Sequence, residues 1–291
     1  MPGTLFVVAT PIGNLEDISL RALRVLKEVQ LIAAEDTRRT ARLLSHYQIR
    51  CPMVSLREHN EHRETPRLLT RLAAGDSIAL VSDAGTPTVS DPGRSLVNAA
   101  RQQGIRVVPI PGPSAVTTAL AGSGLSADRF LFLGFPPRSG SAREAWLDSL
   151  IAEPGTVVCF EAPNRVERTL SDLRAVTVKR PIIVCKELTK IHELLVEYHS
   201  MSTLEPRGEF TILVGPHLPE TSERGGSNYH PATITELVRL LSESRGLGNS
   251  DAQAAVARAL GLRPSTVKNI IKKHAISVKQ QNSRSGLTPP S

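Results

Sequence analysis

From residue 4 to residue 215, short apolar runs alternate with longer runs of helical spacing, and this alternation constrains the fold more than any single motif. TLFVVA (4–9), LIAAE (31–35), MVSL (53–56), SIALVS (77–82) and IRVVPI (105–110) read as strands. Between them lie helical segments: one capped by Ser19, then 38–47, 65–74 closed by Gly75, and 94–103 closed by Gly104. A further helical run, 114–121, follows the last of these strands. Strands separated by helices pair in parallel through crossovers, so the first half is expected to form a parallel-rich α/β sheet. The second half begins the same way, with strands at 129–135, 156–161 and 181–187 and helices at 143–150 and 164–173. ELLVEY (193–198) and EFTILVG (209–215) then follow with only a polar loop between them. These two are expected to pair as an antiparallel hairpin, which makes the second sheet mixed.

Residues 217–231 are rich in Pro, Gly, Ser and Glu and read as a linker. Three helical patterns follow, at 233–244, 250–260 and 264–274. The expected organisation is two α/β domains (1–122 and 123–216), the linker, a small all-α helix-turn-helix-like basic module (232–275) and a disordered tail (276–291). The net charge is +7, and seven Lys or Arg with no Asp or Glu fall between Ala252 and Ser291. Residues 1–251 therefore balance, and the whole positive excess sits in the C-terminal stretch. A compact basic patch attracts polyanions, of which nucleic acid is the commonest. Aromatic residues are only 3 %, which argues against a stacking platform for single strands and for electrostatic docking on a folded surface.

Cys51, Cys159 and Cys185 form no C-x-x-C pair, and the last two lie inside apolar runs. They are expected to be buried thiols in a reducing compartment. There is no basic leader before an apolar run, and no apolar stretch approaches the ~20 residues of a membrane helix. A soluble cytoplasmic protein is expected.

Three loops after predicted strands consist largely of Gly, Pro, Ser, Thr and Asp: ATPIGNLED (9–17), SDAGTPTVSDPG (82–93) and PIPGPSA (109–115). In open α/β sheets ligands bind beyond the carboxyl ends of the strands. Three such loops at one sheet edge would make a rigid backbone cradle for a small ligand. There is no Walker-type sequence, and GSGLSA (122–127) follows a helix rather than a strand, the wrong context for a dinucleotide fingerprint. His59 and His62 in EHNEH lack a third ligand, so no metal is expected.

SDAGTPTVSDPG, together with TPIGNLEDIS, AAEDTR, EHNE, PGPSA, FEAPNR, ELTK and GEFTILV, resembles the tetrapyrrole methylase superfamily. Within it, the sequence is similar to the ribosomal RNA small subunit methyltransferase I family. The resemblance runs in order through residues 4–215. It implies a homodimer that transfers a methyl group from S-adenosylmethionine to a cytidine ribose 2′-hydroxyl in the decoding region of 16S ribosomal RNA. It also implies a cofactor cleft between the two halves. The first-half residues it assigns to the cofactor are Pro11 and Gly13, then Asp83, Gly85, Thr86, Pro87 and Val89, then Ser114 and Ala115. From the second half come Phe160, Glu161 and Ala162, with Leu188, Thr211 and Ile212. Asn164 stands where relatives often carry His, so no proton-abstracting role falls there.

Methyl transfer to a hydroxyl is favoured by positioning and by a nearby proton acceptor or charged group. Glu35, Asp36 and Lys186 are the candidate catalytic residues, with Asp17 and Glu187 beside them. Arg38 is a candidate phosphate contact through its paired donors, or a partner of Glu35 at a helix start. His59 and Asn60 are candidates for an RNA-facing loop. In the basic module Gly261 ends one helix and Ser265 caps the next, whose Lys268, Lys272 and Lys273 are candidate RNA contacts. Two rival readings share the loops: a methylase of a small tetrapyrrole, and a non-enzymatic DNA-binding regulator with a ligand-sensing α/β part.

Overall fold

The structure is a computed structural model that describes residues 1–177, 180–200, 205–217, 231–260, 267–272 and 274. It divides into two compact units, Met1–Leu218 and Pro219–Ser291.

Five parallel strands form the first sheet: β1 (Thr4–Val8), β2 (Leu31–Ala34), β3 (Met53–Ser55), β4 (Ile78–Val81) and β5 (Arg106–Ile110), in the order β3-β2-β4-β1-β5. β2 and β4 are buried at every position, as strands covered on both faces must be. Period-2 alternation sorts their side chains into two cores. Ile32, Ala34, Ala79 and Val81 pack against α1 (Leu20–Glu28) and α2 (Thr37–His46). Leu31, Ala33, Ile78 and Leu80 pack against α3 (Glu61–Ala73) and α4 (Arg94–Gln102). Ser19 caps α1, accepting a bond from the Ala22 N–H at 3.1 Å. Because β4, β1 and β5 are neighbours and parallel, the three Gly- and Pro-rich loops leave one edge of the sheet side by side.

The second sheet contains β6 (Phe130–Phe132), β7 (Thr156–Glu161), β8 (Ile182–Lys186), β9 (Leu194–Glu197) and β10 (Phe210–Val214), in the order β6-β7-β10-β8-β9. It is mixed as expected, but the expected hairpin between 193–198 and 209–215 does not form. β10 lies between β7 and β8, antiparallel to both, and β9 pairs with β8. The physical reason lies in the burial. All five residues of β10 (FTILV) are buried, so it needs neighbours on both sides, whereas β9 is only half-buried and takes the edge. α6 (Ser141–Ala152) and α7 (Val166–Val176) cover one face of this sheet through Trp146, Leu150, Leu170 and Leu173. α5 (Ala115–Ser123) ends at Gly124 in the left-handed conformation, so GSGLSA is a helix terminus. Cys159 and Cys185 are buried in β7 and β8, and burial raises both thiol pKa values.

In the second unit α8 (Pro231–Arg245), α9 (Asn249–Ala259) and the helical residues 267–272 enclose a small core of Ile234, Val238, Ala252, Val256, Ala257 and Val267. Lys268 and Lys272 are exposed, four residues apart on one helical face. Gly261, Ser265, Lys273, residues 218–230 of the linker and the tail 276–291 lie outside the described residues. Among the described residues no helix is long and apolar enough to cross a membrane.

A buried arginine closes the base of the second sheet. Arg180, 4 % exposed, donates to the carbonyls of Gly215, Gly155, Leu150 and Glu153 at 2.6 to 3.1 Å. Arg180→Ala strands these acceptors away from water. It should lower unfolding stability by on the order of 3 kcal/mol, seen as a reduced urea midpoint at unchanged slope.

Candidate active-site cleft

Above the first sheet, the loops after β1, β4 and β5 meet the ends of β7, β8 and β10 around a cavity of about 360 Å³. Its floor is a core shared by both halves: Ile12, Val116, Ala119 and Leu120 from the first, with Val158, Ile183, Leu188 and Leu213 from the second. Thr10 and Gly85 join the first two loops by reciprocal backbone bonds of 2.9 Å. Gly85 has φ +81°, a conformation glycine adopts without penalty. Thr88, Ser90, Glu187 and Thr189 also have positive φ and all lie in the two loops flanking the cavity. For β-branched threonine this is real strain, held only because the surroundings over-determine it.

The structure brings many of the sequence-predicted cofactor residues to this cavity. Asp83, Gly85, Thr86, Val89, Ser114 and Ala115 line one side, and Phe160, Glu161, Ala162, Leu188 and Thr211 the other. Pro11, Gly13, Pro87 and Ile212 are not among its lining residues. Ile212 is fully buried on the opposite face of β10 from Thr211, as strand alternation requires. Gly13 allows close packing: a Cβ there would stand 2.5 Å from Lys190 Cγ and 2.9 Å from the Leu188 carbonyl oxygen. The two halves could not approach so closely with a side chain at that point.

Of the candidate catalytic residues, Glu35 reaches the cavity, while Asp36 and Lys186 do not line it. Glu35 Oε2 accepts from the Asp83 N–H at 3.2 Å, and Asp83 Oδ1 accepts from the Asp36 N–H at 2.9 Å. Asp36 caps α2, and its carboxylate is gripped by Arg38, Nε at 3.1 Å and Nη2 at 2.7 Å. Those bonds hold the Asp36 carboxyl well below the usual carboxylate range. Arg38 is therefore the partner of Asp36, not of Glu35. His59 is exposed, whereas Asn60 is structural: its Oδ1 accepts from the Arg57 N–H at 2.7 Å and its Nδ2 donates to the Ser55 carbonyl at 3.0 Å. The other end of the same motif supports the cleft, because Glu61 Oε1 accepts from the N–H groups of Gly93 and Ser95 at 3.2 and 2.8 Å. Asn164 is exposed and lies outside the cavity lining. Among the described residues no group of three or more His, Cys, Asp or Glu is arranged to hold a metal ion.

Several lining residues are absent from the sequence-predicted set: Asp91, Arg39, Phe135 and Glu209. Asp91 is half-buried, and its carboxyl is pushed up to about 6, first by burial and then by the Glu35 and Asp83 charges. Glu35 is also raised, chiefly by burial, with the Asp83 N–H opposing. Glu161, 2 % exposed, has both oxygens bonded: one to Arg165 and the Ala162 N–H at 2.6 and 2.7 Å, the other to the Thr169 hydroxyl at 2.6 Å. The cavity thus combines several carboxylates with an apolar wall of Ile12, Val116, Phe160 and Leu188, and among the described residues Arg39 is the one cation that lines it. Such a site suits a ligand that is cationic at one end and flat and apolar at the other. The chemistry of S-adenosylmethionine fits: a sulfonium and an ammonium for the carboxylates, an adenine for the apolar wall.

Residues 4–199 match the family model described as Tetrapyrrole (Corrin/Porphyrin) Methylases. Over 284 residues the chain is 44 % identical to ribosomal RNA small subunit methyltransferase I of Pseudomonas aeruginosa, covering 94 % of this chain and 97 % of that one. Among solved structures it resembles a diphthine synthase, with a TM-score of 0.58 at 16 % identity over 73 % of this chain and 90 % of the other. It also resembles uroporphyrin-III C-methyltransferase of Thermus thermophilus complexed with S-adenosylhomocysteine, with a TM-score of 0.53 at 20 % identity over 73 % of this chain and 97 % of the other.

The Asp91 shift has a consequence for stability. Its folded pKa, about 6, lies above its usual 3.8, so the folded state binds the proton more tightly than the unfolded chain. The penalty is absent below about pH 4, grows as pH rises, and is complete above about pH 6. Asp91→Asn should therefore raise the melting temperature at pH 8 by several degrees and leave it nearly unchanged at pH 4, as read by calorimetry.

Proposed function

The chain belongs to the tetrapyrrole (corrin/porphyrin) methylase family and, within it, to the ribosomal RNA small subunit methyltransferase I family, and from that premise we propose that it 2′-O-methylates the ribose of a cytidine in the decoding region of 16S ribosomal RNA. The methyl donor is S-adenosylmethionine, which supplies an electrophilic methyl carbon on a sulfonium. The observation that carries this reading is the carboxylate-rich, half-apolar cavity at the loop edge of the first sheet.

Gly85 and Thr86, the start of α5 at Ser114 and Ala115, and Phe160 to Ala162 with Leu188 and Thr211 would hold the donor. Pro11, Gly13, Pro87 and Ile212 act through the backbone path and the packing behind it. Asp83 sets the rim, since its carboxylate accepts from the Asp36 N–H while its own N–H is bound by Glu35. Asp91 takes the proton from the attacking hydroxyl, and burial first, then the Glu35 charge, keep Asp91 basic enough to do so. Asp36, held low by Arg38, is a positioning residue. Lys186 stands at the end of β8, in register with Phe210, and acts at most on charge near the acceptor. The C-terminal module contributes docking through Lys268, Lys272 and Lys273. A homodimer, implied by the resemblance, is part of the same proposal and is checked by sedimentation equilibrium.

Nucleoside mass analysis of small-subunit RNA should find 2′-O-methylcytidine in cells with the protein and its loss in cells without it. Methyl transfer to a uroporphyrinogen-type acceptor instead of RNA would replace this reading with the tetrapyrrole one. The rate at low substrate should rise with pH along a limb of apparent pKa near 6, following Asp91 deprotonation. Asp91→Asn should lower turnover by roughly 10²-fold or more and abolish that limb, with donor affinity in calorimetry changed only a few-fold. An intact limb in Asp91→Asn would remove Asp91 from the mechanism.

A further inference from the structure

A second, smaller cavity of about 170 Å³ adjoins the donor cavity, and the two share Arg39 and Asp83 as walls. Its other walls include Thr10, Pro11, Thr40 and Arg42. Arg39 and Arg42 are three apart on α2 and so project from one helical face. The arginines of this rim are employed very differently. Arg38 spends its fork on Asp36, and Arg57 is bound to the Glu35 carbonyl at 3.1 Å and faces Asp36 at 3.6 Å. Arg39, by contrast, makes one ion pair among the described residues, with Asp83 at 3.4 Å, and Arg42 has no hydrogen bond or ion pair among them. Two guanidiniums and one carboxylate thus stand in the walls of this cavity, and that carboxylate already accepts the Asp36 N–H. The small cavity carries an unspent positive charge and a free planar fork, the arrangement that recognises phosphate.

We infer that this cavity seats a phosphodiester of the acceptor nucleic acid, the one next to the ribose that is methylated. The inference rests on the ribose-methylation reading and extends it. A 2′-hydroxyl and the 3′-phosphate occupy neighbouring ribose carbons, so a hydroxyl brought to the donor cavity carries its phosphate to the immediate neighbourhood. The small cavity lies there, with room for a phosphate and part of its sugar. Arg42 is the anchor, and Arg39 bridges phosphate and Asp83, coupling acceptor binding to the donor rim.

The test uses the full chain and an RNA fragment of the small-subunit decoding region, with binding measured over a range of KCl. Arg42 is exposed and makes no hydrogen bond or ion pair among the described residues, so Arg42→Gln should melt like the wild type. It should weaken RNA binding roughly 10-fold and make log K against log salt shallower by about 0.7 to 0.9. Arg42→Lys should keep the salt slope and recover part of the affinity. Donor affinity by calorimetry should stay within two-fold in both. A neutral methylphosphonate in place of the 3′-phosphodiester should weaken wild-type binding as much as Arg42→Gln does, and weaken Arg42→Gln no further. Wild-type affinity and salt slope in Arg42→Gln, or additive losses with the methylphosphonate, would overturn the assignment while leaving ribose methylation standing. A wild-type protein that neither binds nor methylates this RNA overturns the functional reading, and the phosphate seat with it.

Discussion

The reciprocal backbone bonds between Thr10 and Gly85 are the constraint on which the cleft depends. They tie the loop after β1 to the loop after β4 just beyond the ends of two neighbouring parallel strands. The Thr10 hydroxyl adds a bond to the Ser82 carbonyl, at 3.2 Å. From this knot the β4 loop turns outward with Asp83 on one side and Asp91 on the other. Thr88 and Ser90 lie between them at φ values of +73° and +65°, a strain of about 1–3 kcal/mol each. A loop anchored at one point only would relax out of that shape. Glu61 supplies a second anchor by holding the Gly93 and Ser95 N–H groups at the far end. The strained segment therefore has fixed ends, and its carboxylates have fixed places.

Electrostatics then separate the tasks of neighbouring acids. Asp36, Asp83, Asp91 and Glu35 all belong to this rim, yet they differ in what surrounds them. Asp36 is exposed to Arg38 and Arg57 and stays strongly acidic. Asp91 is half-buried beside like charges, and its carboxyl is pushed up to about 6. Burial exceeds the benefit of any hydrogen bond at Asp91, whereas charged donors exceed burial at Asp36. A cation entering the cavity relieves the repulsion that raises Asp91 and Glu35, so ligand charge and proton affinity are linked within one site.

Much of the fold was readable because β1, β2 and β4 are continuous apolar runs separated by capped helices, and such runs have few ways to be buried. Loop composition likewise marked the edge that carries the cavity. The β9–β10 pairing was not readable from adjacency: chain order proposes neighbours, but burial decides them, and FTILV is too apolar to sit at an edge. Asp91 was inside a recognised motif, yet a string does not say which of its two aspartates is desolvated. Arg38 and Arg39 are adjacent in sequence, and only the phase of α2 turns one to Asp36 and the other to the two cavities. Thr211 and Ile212 differ in the same way through the phase of a strand.

The floor of the cleft bears on how ligands arrive. Ile12, Val116 and Leu120 from the first half are packed against Val158, Leu188 and Leu213 from the second in one continuous core. Gly13 lies under the Leu188–Lys190 turn with no space for a side chain, and Gly122 stands where a Cβ would come within 2.8 Å of Leu195. Opening the cleft by moving the halves apart would expose this apolar surface at roughly 25 cal/mol per Å². A hinge of that kind is costly, so the donor cavity is effectively preformed, and Val89 and Phe135 are exposed residues of its lining. A preformed cleft places the acceptor at little entropic cost. That suits a reaction in which alignment of the acceptor with the methyl carbon works together with proton removal by a rim carboxylate.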